Sequence, residues 1–391
     1  MKQWKWAAVA AGCAIVLAGC GGASDGSDTT PKTVAPSVKV FGDSIMDSGT
    51  FGYKFTIQSA DAANPFLLFP EIVAANFGVK SLCAFFNFNG TTFSPNTNCT
   101  NYAVAGSHIN NLTNASAPSA SIPWSIPFQL QTASATLQST DLVIVDGGGN
   151  DFGDLVGGYL GASSPSGVAN FVSLLSTLLP PATVASIVGA TPTATSLGTA
   201  AGAYAQTLGA TQANNIKTYI LSKGVSRVVA INVPDITVSP RFASVLGAVA
   251  AAQGTAKRDA VQAAVRTWLQ TFNGALAQGL AGTGVQIFDL YTEGGRITAN
   301  PAQFAITNTT TTACPKVTGG LDPTSGQASL SLPATVVACN SASMSANIPV
   351  GETSANWWNG YVFSDHFHFT PAVNKLIAQS INLQLAKAGW L

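Results

Sequence analysis

Two short runs of the chain hold the residue types that a nucleophile, a base and an orienting carboxylate require: FGDSIMDSG at 41–49 and SDHFHFTP at 364–371. Ser44 follows a short apolar run and a glycine, so its hydroxyl is the first group presented beyond the end of a strand. A serine hydroxyl is a poor nucleophile near neutral pH and needs a base to take its proton. The chain has three histidines, His108, His366 and His368. In an irregular turn a spacing of three lets Asp365 and His368 fold onto one side, where the carboxylate fixes the imidazole tautomer. His366 is adjacent to that Asp and points elsewhere in most backbone conformations, so His368 is expected as base and Asp365 as its orienter. His108 reads as a satisfied structural histidine. A metal site built on Asp365, His366 and His368 would lack further distant ligands, so neither metal nor cofactor is expected.

These groups depend on the elements that carry them. Residues 38–41, VKVF, read as a strand ending at Gly42-Asp43-Ser44. A helix is expected over about 65–76, closed by Gly78, with Phe66, Phe69, Ile72 and Val73 facing a core. Residues 81–99 are aromatic, rich in Asn and loop-like. The apolar run 142–145 ends in Asp146 and three glycines, the mark of a buried parallel strand entering a tight turn. Asn150-Asp151 follows, and Asp151 is placed to start a helix. An Ala-rich helix over about 199–222 stops at Gly224, and an apolar strand covers 227–233. Val261, Val265, Trp268, Leu269, Phe272, Leu276 and Leu280 form one stripe of a helix over 257–280, and 285–290 supplies another strand. Residues 299–352, rich in Thr, Ser, Gly and Pro, read as an excursion over one face of the domain. Thr370 can cap a last helix with Pro371 at its first position. Strands alternating with long helices imply an α/β fold, a three-layer α/β/α sandwich around a mostly parallel sheet. In such sheets functional loops gather at the carboxyl ends of the strands, where Ser44 and Asn150 both stand.

FGDSIMDSG resembles the first sequence block of the GDSL or SGNH hydrolases. NYAVAGS at 101–107 resembles their second block, GGND at 148–151 their third, and Asp365-His366-Phe367-His368 their closing D-x-x-H, all in family order. The resemblance implies a flavodoxin-like fold and the cleavage of carboxylic esters of lipids, aryl alcohols or acetylated sugars. It assigns Ser44 as nucleophile with Asp365 and His368 as its partners. It also assigns the N–H groups of Ser44 and Gly106 and the side chain of Asn150 as donors to an oxyanion. The chain departs from many relatives in having Phe369, Thr370 and Pro371 after the last histidine where they have Pro directly, which bears on the local turn. It also lacks the G-x-S-x-G elbow of ordinary α/β-hydrolases.

Trp357, Trp358 and Tyr361 precede the histidine turn, and Phe363, Phe367 and Phe369 surround it. If exposed, Trp357, Trp358 and Phe367 would favour an apolar or aryl acyl group, and Phe85, Phe86 and Phe88 could approach the same face. The expected partner is therefore a small-molecule or lipid ester. An acyltransferase or a polysaccharide O-acetyl esterase would use the same residues, the latter with an open polar cleft. A binding lipoprotein on a dead hydrolase fold would lack one of the four blocks, and none is missing.

The first nineteen residues combine lysines, an apolar stretch from Ala7 to Leu17 and small residues, which reads as a secretion signal over 1–19. Leu17-Ala18-Gly19-Cys20 looks like a bacterial lipobox that would leave Cys20 lipidated, the alternative being a plain secretory peptide. Residues 20–36, of Gly, Ser, Asp, Thr and Pro, then read as a tether and 37–391 as the hydrolase domain. The expected location is the bacterial cell envelope, lipid-anchored at the outer membrane, or secreted. Without Lys2 and Lys5 the chain has 15 basic against 17 acidic residues and no basic run, which argues against a nucleic-acid partner. Of four remaining cysteines in an exported chain, Cys83 and Cys99 bracket one polar loop and Cys314 and Cys339 another, so these two local disulfides are expected.

Overall fold

The computed structural model describes residues 37–79, 82–110, 122–314 and 333–391. The expected leader 1–19, the tether 20–36 with Cys20, and residues 315–332 of the excursion lie outside the described residues.

Four short strands form a parallel sheet in the order β1 (Val38–Phe41), β4 (Leu142–Val145), β5 (Arg227–Ile231), β6 (Gln286–Phe288). Outside that sheet, β2 (Phe86–Phe88) and β3 (Phe93–Pro95) make an antiparallel hairpin, and β7 (Asn308–Thr312) runs parallel to β8 (Tyr361–Phe363). Residues 100–104 lie parallel to β1 on its free edge: Val40 N–H donates to Thr100 O (3.1 Å), Tyr102 N–H to Val40 O (2.7 Å) and Val104 N–H to Gly42 O (3.1 Å). From β1 the chain therefore goes first to one side and then, through β4, to the other. That reversal opens a crevice at the carboxyl ends of β1 and β4, where ligands bind in open α/β sheets.

The strands are apolar on both sides because helices cover both faces. Phe41, Val143, Val145, Val228 and Ala230 point into one core, and Val38, Val40, Leu142, Ile144, Val229 and Ile231 into the other. The first is closed by α2 (Ile126–Ser134), α3 (Gly149–Gly161), α4 (Pro165–Leu175), α5 (Pro181–Val188), α6 (Ala194–Tyr219), α7 (Pro240–Gln253) and α8 (Thr255–Leu280). All seven residues of the stripe expected on α8 are buried there. The second core lies under α1 (Phe69–Asn76), α9 (Leu290–Ala299) and α12 (Pro371–Lys387). Thr370 caps α12, accepting from Val373 N–H at 3.4 Å, with Pro371 at the first position.

The helix expected over 199–222 covers Ala194–Tyr219, the strand expected over 227–233 ends at Ile231, and the start of the first helix shifts for a local reason. The helix expected from residue 65 begins at Phe69, because Glu71 Oε2 accepts the Leu68 N–H and Asn374 Oδ1 the Phe69 N–H, ending the extended approach there. Within the excursion, the polar strand β7 and the short helices α10 (Pro333–Ala338) and α11 (Ser341–Ala346) form without any apolar period to announce them. Part of this segment packs in a satellite core with Tyr53, Phe55 and Ile57 around the Cys314–Cys339 disulfide. Cys83 pairs with Cys99, so both bridges are the local ones.

Candidate active site

The loop after β8 folds back on itself before α12 starts. Ser364 N–H donates to His368 O at 2.8 Å and Thr370 N–H to Val362 O at 3.0 Å, pinching residues 363–369 into a narrow turn. Inside it Asp365 Oδ1 accepts the backbone N–H groups of Phe367 (2.8 Å) and His368 (2.7 Å). Its carboxylate also meets His368 Nδ1, at 3.0 Å from Oδ1 and 2.8 Å from Oδ2. Burial pushes the Asp365 pKa up, but the His368 ring and the two backbone N–H groups outweigh it and hold the carboxyl below its usual range. The opposite ring nitrogen, Nε2, lies 2.7 Å from Ser44 Oγ, across 324 residues of sequence. The absence of proline directly after His368 is met by Thr56, whose hydroxyl donates to Phe369 O at 2.8 Å and ties the turn down. Phe55 packs its ring 4.9 Å from that of His368, so the satellite core supports the imidazole from one side. The His366 carbonyl accepts from Arg241 N–H at 3.0 Å.

Ser44 and Gly106 sit on two loops and Asn150 in the first turn of α3, and buried polar side chains lock the three together. Asp47 Oδ2 accepts the Ala105 N–H at 2.9 Å, and its Oδ1 accepts from Gly49 and Thr50. Asp151 Oδ2 accepts from Ile109 N–H (3.0 Å) and Oδ1 from Asn110 N–H (2.8 Å). It thus ties the loop around Gly106 to the first turn of α3, and the expected cap role falls instead to Gly148, because the Asp151 carboxylate is taken by that loop. Gln129 Oε1 of α2 accepts the Gly42 N–H, and its NH₂ shares two hydrogens among Gly42 O, Ser107 Oγ and Pro123 O. Asn150 Nδ2 donates to Ser107 O at 2.9 Å, and its second N–H has no partner among the described residues. Gly106 holds φ +83°, a left-handed conformation costly for any residue with a Cβ. Asp47 and Gln129 were not singled out in the sequence. The one signal for Gln129 was a glutamine on the apolar face of a helix, between Ile126 and Ala133.

Next to Ser44 in the chain, Asp43 forms an acidic pair with Asp146. Asp43 N–H donates to Asp146 Oδ1 at 3.1 Å, and a Cβ at Gly42 would stand 1.5 Å from that oxygen, so only glycine fits. Burial raises the Asp43 pKa to about 6, and burial together with the Asp43 charge pushes Asp146 well above its usual range. For an acid whose folded pKa is raised, the fold favours the neutral form. The resulting stability is fully present below the unfolded value near pH 4 and is lost as pH rises through about 6. Asp146→Asn keeps an oxygen for the Asp43 N–H and removes one of the charges. Denaturation at pH 8 is expected to show a gain of about 1–3 kcal/mol over wild type. The gain should vanish at pH 4; an equal gain at both pH values would rule out titration as its cause.

The remaining candidates separate. Trp357 and Trp358 are 7 % and 2 % exposed and belong to the satellite core, with Trp357 Nε1 donating to Met344 O at 3.0 Å. Phe367 is half-buried and lines a cavity beside the site, as does Phe369, whereas neither tryptophan does. Phe85, Phe86 and Phe88 pack among Phe51, Phe93, Tyr102, Trp124 and Phe128. His108 Nε2 lies 3.2 Å from Asp154 Oδ2, while its Nδ1 is buried with no partner among the described residues. Burial lowers the His108 pKa, but Asp154 and Asp151 outweigh it and raise it. Among the described residues no cluster of His, Cys, Asp and Glu could hold a metal ion, and no helix is long and apolar enough to cross a membrane.

A parallel sheet with these groups at its switch point has the form of an α/β/α hydrolase. The chain belongs to the GDSL-like lipase/acylhydrolase family, whose model matches residues 38–381, and is thereby a member of a hydrolase family. No curated protein matches the chain.

Proposed function

We propose that the protein is a serine carboxylic-ester hydrolase that works through an acyl-enzyme on Ser44. The observation that carries this reading is the contact of 2.7 Å between Ser44 Oγ and His368 Nε2, made while His368 Nδ1 is held by Asp365. Ser44 Oγ attacks the ester carbonyl as His368 Nε2 takes its proton. The tetrahedral intermediate collapses, and His368 returns that proton to the departing alcohol. A water then attacks the acyl-enzyme, giving its proton to His368, and the acid leaves as Ser44 Oγ is reprotonated. The N–H groups of Ser44 and Gly106 and the free amide N–H of Asn150 stabilise the oxyanion; one such donor is worth roughly 3–4 kcal/mol in the transition state. The substrates are lipid, acyl or aryl esters, and the apolar cavity beside Ser44 favours these over acetylated polysaccharide.

The same reading is tested by trapping the acyl-enzyme position. An alkyl fluorophosphonate is expected to add once per chain, on the peptide that holds Ser44, and not at all to Ser44→Ala. An unmodified wild-type chain, or an adduct that survives the substitution, would sink the mechanism. We further propose that residues 37–391 form the catalytic domain, carried on a tether from a lipidated Cys20 at the cell envelope; the support is the sequence step Leu17-Ala18-Gly19-Cys20. Cys20→Ser is expected to shift the expressed protein from the membrane to the soluble fraction, and unchanged partition would count against the anchor.

A further inference from the structure

A cavity of about 90 Å³ lies between the carboxyl ends of β4, β5 and β6 and the helices α9 and α12. Its wall beside the site is made by the chain neighbours of the reacting groups: Ile45 next to Ser44, Gly149 next to Asn150, and Phe367 next to His368. Its far wall includes Gly294 and Gly295 of α9 and Ile377 of α12. The lining is mostly hydrocarbon, so an apolar group gains by entering it. Helix α9 follows β6, three strands from β1, so the cavity extends sideways from the strand that ends at Ser44.

The two glycines are the informative part of the wall. Adjacent glycines in the interior of a ten-residue helix weaken it relative to alanine. Neither has a positive φ, and a Cβ on either would meet no atom within 4 Å, so neither backbone conformation nor packing requires them. Both line the cavity, Gly294 half-buried and Gly295 exposed. A local choice that works against its own helix is expected where function sets the residue.

We propose that this cavity receives the acyl chain of the ester cleaved at Ser44, that it fits a medium-length chain, and that Gly294 and Gly295 set the length. At about 10–15 Å³ for each water-sized group, the cavity holds roughly six to nine methylene-sized groups. Acyl chains near octanoyl fill it, acetyl leaves it empty, and palmitoyl exceeds it. The inference rests on Ser44 being the nucleophile, and the experiment separates the two.

Hydrolysis of p-nitrophenyl acetate, butyrate, octanoate and palmitate is measured with the full chain, Ser44→Ala, Gly294→Leu and Gly295→Leu, each checked by thermal melting. Each buried methylene can multiply kcat/KM by up to about fourfold. Wild type is therefore expected to favour octanoate over acetate by at least tenfold, with a fall at palmitate. In Gly294→Leu the octanoate-to-acetate ratio is expected to drop tenfold or more and the optimum to move to butyrate, with Gly295→Leu as the second variant if the first does not fold. A wild-type optimum at acetate, or folded leucine variants with the wild-type chain-length profile, overturns the cavity assignment while Ser44→Ala remains inactive. Undiminished hydrolysis by Ser44→Ala overturns the serine mechanism itself.

Discussion

Ser44→Ala is expected to lower kcat for ester hydrolysis by roughly four to six orders of magnitude with little change in stability. The methyl side chain has no nucleophile to offer, and His368 Nε2 loses the oxygen now 2.7 Å away. The loss should not be total. The oxyanion donors and the binding cavity still orient the ester for direct attack by water, which typically leaves about 10³–10⁴ over the uncatalysed rate. Because Ser44 Oγ is buried and has no described partner besides His368, the substitution removes a single hydrogen bond, and the melting temperature should hold within a few degrees. A rate within tenfold of wild type would mean that another group attacks the ester.

The second large effect is expected from Asp365→Asn, about 10⁴-fold in kcat. Asp365 Oδ1 accepts two backbone N–H groups, so an asparagine there keeps its oxygen on that side and turns its NH₂ toward His368 Nδ1. The imidazole must then present a lone pair at Nδ1 and carry its proton at Nε2. In that tautomer it donates to Ser44 Oγ and cannot take the proton the reaction requires. KM should change far less than kcat, because the oxygen replaced, Oδ2, contacts only the imidazole. A large rise in KM with kcat preserved would contradict the tautomer argument. The lowered Asp365 pKa has a consequence for acid stability as well. Its contribution is present above the ordinary carboxylate value near pH 4 and is lost as pH falls through the lower folded value.

Much of this architecture was legible in the chain because the pattern matched the burial. The uninterrupted apolar runs at 38–41 and 142–145 mark strands covered on both faces, and the stripe from Val261 to Leu280 marks a helix with one face in the core. Of the stretch that forms α3, α4 and α5 only the helix start near Asp151 was marked, since its many glycines, serines and prolines hide the apolar period of helices that pack on α6 and the core. The tryptophans at 357 and 358 illustrate the opposite failure. Large aromatic residues suit a substrate wall and a core equally, and the satellite core around Cys314–Cys339 is assembled from segments far apart in sequence.

The residue types at Ser44, Gly106, Asn150, Asp365 and His368, and their order, are properties of the sequence, because nucleophile, donor and base chemistry belong to side chains and to glycine backbone. Their distances are not. A parallel sheet brings the ends of β1, β4 and the 363–369 turn to one edge, and Asp47, Gln129, Asp151 and Thr56 then hold the loops through hydrogen bonds between segments far apart in the chain. The cavity is likewise tertiary, since empty space between β4, β5, β6, α9 and α12 exists only once those elements have packed. No run of residues encodes a void.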